Sequence, residues 1–342
     1  MSNADDDFSD LWEWCAEKGV VSKKLFIRRN MQGLMPHLSL HVGESVRAGA
    51  VVLTVPYLVT LNAQTIRGDM KPLAVPSVRT MCAFLTRRRR MDIITAKSLW
   101  LSSCVACYRR LLFQGRDFNI SPLFSRALMP LLPSPFVSSH VRSFPSIASM
   151  LPEGLNNTAE ESFLSSLKLE TEGQLRVTHA ALQFYQKRHA SRISSQLVPS
   201  LDELRMAYRT VMHRSMLLPL DCVPSAPGDL ADLFTERPDI EVLPSFVPLV
   251  DIIRSPSVLQ SSNEAAGGVV GSRQHGKAVS QQQQQQPSNC ALYTCTHADF
   301  VSSGSRRRVV FETSPLSSRR VVVCAMSDLK EGDELLLDYS SE

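Results

Sequence analysis

The stretch that decides the reading runs from Val321 to Glu342: VVVCAMSDLKEGDELLLDYSSE. Val321, Val322 and Val323 form a β-branched run, and Leu335, Leu336 and Leu337 form a second apolar run that ends at Asp338-Tyr339. Such residues suit a pleated, buried surface, so two strands are expected. Between them Asp328–Glu334 is polar, and Gly332 supplies the backbone freedom of a tight turn. On these residues alone the alternative is a plain surface hairpin.

Working outward, Val46–Pro56 (VRAGAVVLTVP) reads as a further strand, opened by Gly49 and closed by Pro56. Lys24–Ile27 and Leu38–Val42 read as shorter ones. Phe8–Gly19 places Phe8, Leu11, Trp12 and Cys15 at helical spacing, with Gly19 as a C-cap. From about residue 76 to 222 the character changes: apolar positions recur at three and four spacing, as in Met81, Leu85, Met91 and Ile94, then Leu99, Cys104, Cys107 and Leu111. Leu201–Pro219 reads as one helix with Leu204, Tyr208, Val211 and Met212 on a single side and Pro219 as its stop. Phe246–Asp251 is a strand candidate. Residues 257–286, with their Ser, Gly and Ala content and six glutamines at Gln281–Gln286, are expected to be a disordered loop.

The chain has 342 residues, enough for a large core and more than one ordinary domain. Three segments are expected: 1–75, a helical insertion over 76–222, and 223–342. The 37 Lys+Arg against 33 Asp+Glu leave a net charge of +4, too small a bias to argue for nucleic acid. The basic clusters Arg87–Arg90, Arg306–Arg308 and Arg319-Arg320 lack interleaved aromatics, which also argues against that partner. No apolar run reaches the roughly 20 residues of a membrane helix. The acidic start, MSNADDDFSD, is unlike a secretory or transit segment, so a cytoplasmic or nuclear site is expected. Eight scattered cysteines suggest free thiols in a reducing compartment, and the lone Cys104-x-x-Cys107 reads as core rather than as a zinc site.

The terminal turn and Tyr339, the Leu53-x-Val55-Pro56 element and the opening Phe…Trp helix together resemble the SET-domain protein lysine methyltransferases of the Rubisco large-subunit methyltransferase type. The resemblance extends to Ser143-Phe144-Pro145…Leu151-Pro152-Glu153, to His213-Arg214-Ser215-Met216, to Pro248-Leu249-x-Asp251 and to Pro287-Ser288-Asn289-Cys290. It implies an α+β fold, a SET-type β-fold of short strands and small sheets split by a large helical insertion. It implies S-adenosylmethionine as methyl donor, a protein presenting a lysine as partner, and no metal.

By the same resemblance Tyr339 would be the catalytic tyrosine that orients the lysine amine. Arg214 would meet the carboxylate of the cofactor, since a guanidinium fork matches two carboxylate oxygens. Asp251, Asn289 and the backbone at Gly33 would border the rest of it. The departures are specific: Arg254-Ser255 stand where the family carries Asn-His, no second glycine accompanies Gly33, and Ser340 follows the tyrosine in place of glycine. They define the alternative, a catalytically inactive SET-fold scaffold that binds proteins. The chain ends three residues after Tyr339, so the helical substrate-binding domain that often follows in this family is expected to be absent.

Overall fold

A computed structural model describes residues 8–32, 35–66, 71–113, 157–219, 241–253, 288–296 and 319–337. Helices and small antiparallel sheets build an α+β architecture. The chain divides into two compact units: Met1–Leu58 with Asp221–Glu241 and Pro248–Glu342, and Val59–Leu220 with Val242–Val247.

The first unit is organised on β8 (Arg319–Ala325), the valine run singled out above. It lies between β4 (Val51–Pro56) and β7 (Cys290–Thr296), with β1 (Val21–Ser22) outside β4. All three pairings are antiparallel. Val321, Val322 and Val323 are 0–3% exposed, and each stabilises the unit by about 1.5–3 kcal/mol relative to a solvated side chain. A hairpin of β2 (Leu25–Gln32) and β3 (Met35–Val42) forms a second sheet in register Leu25↔Val42 to Gln32↔Met35. Helix α1 (Ser9–Glu17) buries Phe8 (its N-cap), Leu11, Trp14 and Cys15. Gly19 follows it at φ +75, a conformation that only glycine adopts at low cost. Trp14, not Trp12, is the fully buried tryptophan, because residues 11, 14 and 15 share the inward arc.

The second unit is helical: α2 (Val78–Arg89), α3 (Ile93–Phe113), α4 (Asn157–Arg188) and α5 (Leu201–Arg214), with a small sheet of β5 (Met216–Pro219) and β6 (Val242–Ser245). Helix α3 is its axis. Leu99, Trp100, Leu101, Cys104, Val105, Ala106, Cys107 and Tyr108 are all at most 1% exposed, so the helix is wrapped on every side. Cys104 and Cys107 are core thiols. The exposed Arg87, Arg89 and Arg90 lie at the solvated end of α2.

Three expected elements differ from what is observed. Helix α5 stops at Arg214, not at Pro219: Ser215 turns extended (φ −86, ψ 148), and Met216–Pro219 pairs with Val242–Ser245. Its buried face is Leu204, Ala207 and Val211, while Met212 is exposed. Phe246–Asp251 is not a strand; β6 precedes it, and Val250–Ile252 is a 3-10 turn. Leu335–Leu337 does not return along β8 as a hairpin, and its actual course defines the site described next.

Candidate functional site

Everything at the C-terminal end turns on how residues 332–337 are seated. Lys330 N–H bonds the Asp333 carboxylate (2.7 Å) and Asp333 N–H bonds the Lys330 carbonyl (3.0 Å), closing a turn in which Gly332 takes φ +91. A residue with a Cβ would be strained there. The chain then lies along β3: Gly332 N–H to the Val42 carbonyl (2.8 Å), Val42 N–H to the Asp333 carbonyl (3.0 Å), and Leu335 N–H to the Leu40 carbonyl (2.8 Å). Leu335, Leu336 and Leu337 are 0–4% exposed. The segment is a strap with main chain along one edge.

Its other edge is held by residue 289. The Asn289 Nδ2–H donates to the Glu334 carbonyl (2.8 Å), and Leu336 N–H donates to the Asn289 Oδ1 (2.8 Å). The N–H groups of Asn289 and Cys290 both reach the Leu336 carbonyl (3.1 Å each), and Cys290 then bridges Leu337 in parallel.

His41 fastens the turn from β3. Its Nδ1–H donates to the Gly332 carbonyl (3.0 Å), which fixes the tautomer, and its Nε2 lies 2.9 Å from the Ser39 hydroxyl. The ring stacks on cross-strand Phe26 (centroids 5.4 Å apart, planes 17° apart), and the Arg28 guanidinium lies 5.0 Å from the Phe26 ring centroid on the far strand. His41 is 6% exposed and Ser39 fully buried.

Asp251 belongs to the same unit. It sits half-buried in the 3-10 turn Val250–Ile252, which packs against β3. The residue before that turn, Leu249, has φ +68 and ψ −37 although it is a leucine and 1% exposed. Such a backbone costs about 1–3 kcal/mol and persists only where the surroundings impose it. Burial, and then the Asp251 carboxylate, push the Cys15 thiol up to about 12, so Asp251 acts on the interior face of α1.

Arg214 is the last residue of α5, half-buried, in the helical unit. Gly33 and Tyr339 lie outside the described residues, as do Arg254 and Ser255. Of the expected site residues, Asp251 and Asn289 therefore share one unit and Arg214 belongs to the other. Among the described residues no group of three His, Cys, Asp or Glu side chains is placed to hold a metal ion. No helix among them is long and apolar enough to cross a membrane.

His41, Asp333 and the strained Leu249 were not singled out from the sequence. His41 carried a signal: Ser39 and His41 alternate with Leu40 and Val42 in a strand whose two faces both turn out to be buried. Arg319 also differs from its expected surroundings. It is 6% exposed, with its guanidinium 5.8 Å from the Tyr57 ring centroid, so it is not part of a displayed basic patch.

No protein-family model matches the chain, and no curated protein matches it. Solved structures do. The SET domain of LSMT bound to lysine and AdoHcy is similar at TM-score 0.49 and 12% identity, over 99% of this chain and 54% of that one. A second structure of that domain, bound to MeLysine and AdoHcy, gives 0.41 and 15% over 73% and 44%. Rubisco LSMT bound to AdoMet gives 0.40 and 13% over 99% and 53%. The chain spans about half the length of these proteins or less.

Proposed function

We propose that this chain is an S-adenosylmethionine-dependent protein-lysine N-methyltransferase of the SET type. The observation that carries the reading is the strap. The segment that resembles the family's closing motif is not a surface hairpin but is buried between β3 and the start of β7, two residues ahead of Tyr339. A segment bonded along both edges is a fixed base for the tyrosine that follows it in sequence, and alignment of a nucleophile requires such a base.

S-adenosylmethionine bound there would supply an electrophilic methyl group. The work of this chain's residues is alignment. The substrate lysine, with a solution pKa of about 10.4, must lose its proton before it can attack, and apolar walls favour the neutral amine. Tyr339 accepts a hydrogen bond from that amine and aims its lone pair. Arg214 and Asp251 hold the charged ends of the methyl donor, with Gly33 giving room for its approach. The partner is a protein presenting a lysine, in the cytoplasm or nucleus.

Calorimetric titration with S-adenosylmethionine tests the reading, with Tyr339→Phe as a folding control. A dissociation constant in the micromolar range, about −8 kcal/mol, followed by methyl transfer to lysine in a protein extract, is the expected result. A folded chain that gives no heat at millimolar ligand overturns it. The second reading, an inactive scaffold, then stands on Arg254-Ser255 at the Asn-His position.

A further inference from the structure

We infer that Asn289 is a positioning residue, its side-chain amide serving as a surrogate peptide group that sets where the strap ends and hence where Tyr339 begins. The inference rests on the proposed function for its catalytic consequence, but its geometry is independent of it. In a parallel ladder one residue of the neighbouring strand gives its N–H to the carbonyl of residue i−1 and takes the N–H of residue i+1. Asn289 reproduces both bonds with a side chain, giving Nδ2–H to Glu334 and taking N–H from Leu336, centred on Leu335. The main chain of Asn289 and Cys290 continues the pairing to Leu336 and Leu337. A side chain therefore adds one rung to the ladder at the residue where the main chain of 288–289 is not yet a strand.

That rung lies on the opposite edge from β3, whose bonds to Asp333 and Leu335 alternate with it. Removing it releases the Glu334 carbonyl and the Leu336 N–H from their partner and leaves that edge held only by the main-chain bonds of Asn289 and Cys290 to the Leu336 carbonyl. An ordinary cofactor contact would have a different signature: it would change binding of the methyl donor and leave the strap in place.

The experiment is a double-mutant cycle of Asn289→Ala and Tyr339→Phe, combined with hydrogen exchange read by mass spectrometry. Asn289→Ala is expected to lower kcat about five- to 150-fold, as the loss of two neutral hydrogen bonds would. The dissociation constant for S-adenosylmethionine should stay within about threefold. In the Tyr339→Phe background the same substitution should cost little, because both act through one group. Exchange of amides 334–339 should rise while that of α3 is unchanged. Should Asn289→Ala fail to fold, Asn289→Gln keeps the amide but moves it one methylene away, and a loss in kcat without weaker binding of S-adenosylmethionine is again expected.

Additive losses in the cycle, or a weakened dissociation constant with unchanged kcat, overturn the positioning role. Unchanged exchange at 334–339 overturns the clamp itself. A wild-type chain with no transfer activity overturns the proposed function and the catalytic consequence drawn here, and the exchange comparison then decides the clamp alone.

Discussion

Replacing His41 by leucine tests the opposite fastening of the strap. The substitution keeps an apolar side chain of similar size and removes the Nδ1–H bond to the Gly332 carbonyl and the contact with the Ser39 hydroxyl. Each neutral hydrogen bond contributes about 0.5–1.5 kcal/mol net. The stacked pair with Phe26 adds about 0.5–1.5 kcal/mol beyond the area it buries. Together the local loss is about 2–4 kcal/mol. Because the chain has two compact units, a global melt need not be one transition and would blur the effect.

Hydrogen exchange on peptides covering 330–337 is therefore the better assay. A loss of about 2–4 kcal/mol there corresponds to exchange faster by about 30- to 700-fold, at roughly 1.4 kcal/mol per factor of ten. Peptides from α3, in the other unit, should exchange at the wild-type rate. If the 330–337 amides stay within about threefold of wild type, His41 does not hold the turn, and the main-chain bonds to β3 suffice.

Two further outcomes concern pH. Hydrogen bonds from Arg205, with Arg176 adding to them, hold the Glu172 carboxyl at about 2 against an ordinary 4.5, so its contribution is present above pH 4.5 and is lost as pH falls toward 2. Glu172→Gln should cost about 1 kcal/mol at pH 7, discounted for its partial exposure, and nothing near pH 2; a gap in urea midpoints that ignores pH refutes this. Burial pushes the Cys107 thiol from 9.0 up to about 12. The unfolded thiol ionises first, so stability is full below pH 9 and falls as pH rises toward 12. Cys107→Ala should flatten that fall, and an identical slope in both proteins would sink the assignment.

The parts of the fold that were legible are those whose signal is local. The valine run of β8 and the repeat of β4 are β-branched and buried, and they became central strands. Leu204 and Val211 marked the inner face of α5 by helical spacing, and Leu99, Cys104, Cys107 and Leu111 did so for α3. What failed was local continuity. Met216-Leu217-Leu218 extends the apolar period of α5 without a break, so nothing nearby announces that it pairs with Val242–Ser245. That decision is made by a segment more than twenty residues away, and tertiary pairing overrode propensity.

The candidate site was illegible for the same reason, with one instructive difference. The leucine run 335–337 could be recognised as buried, but its partners could not, because its bonds go to Leu40 on one side and to residues 289–290 on the other. The β3 edge is joined through main chain that any sequence would offer. The Asn289 edge, 45 and 47 residues from the groups it binds, and the His41 fastening, 291 residues from Gly332, depend on side-chain chemistry. Those side chains pair across long separations, so their part in the strap cannot be read from the residues next to them. An asparagine in a Pro-Ser-Asn turn reads as an ordinary turn former until its partners are known. Once they are known, the same amide is seen to hold both the Glu334 carbonyl and the Leu336 N–H of the strap.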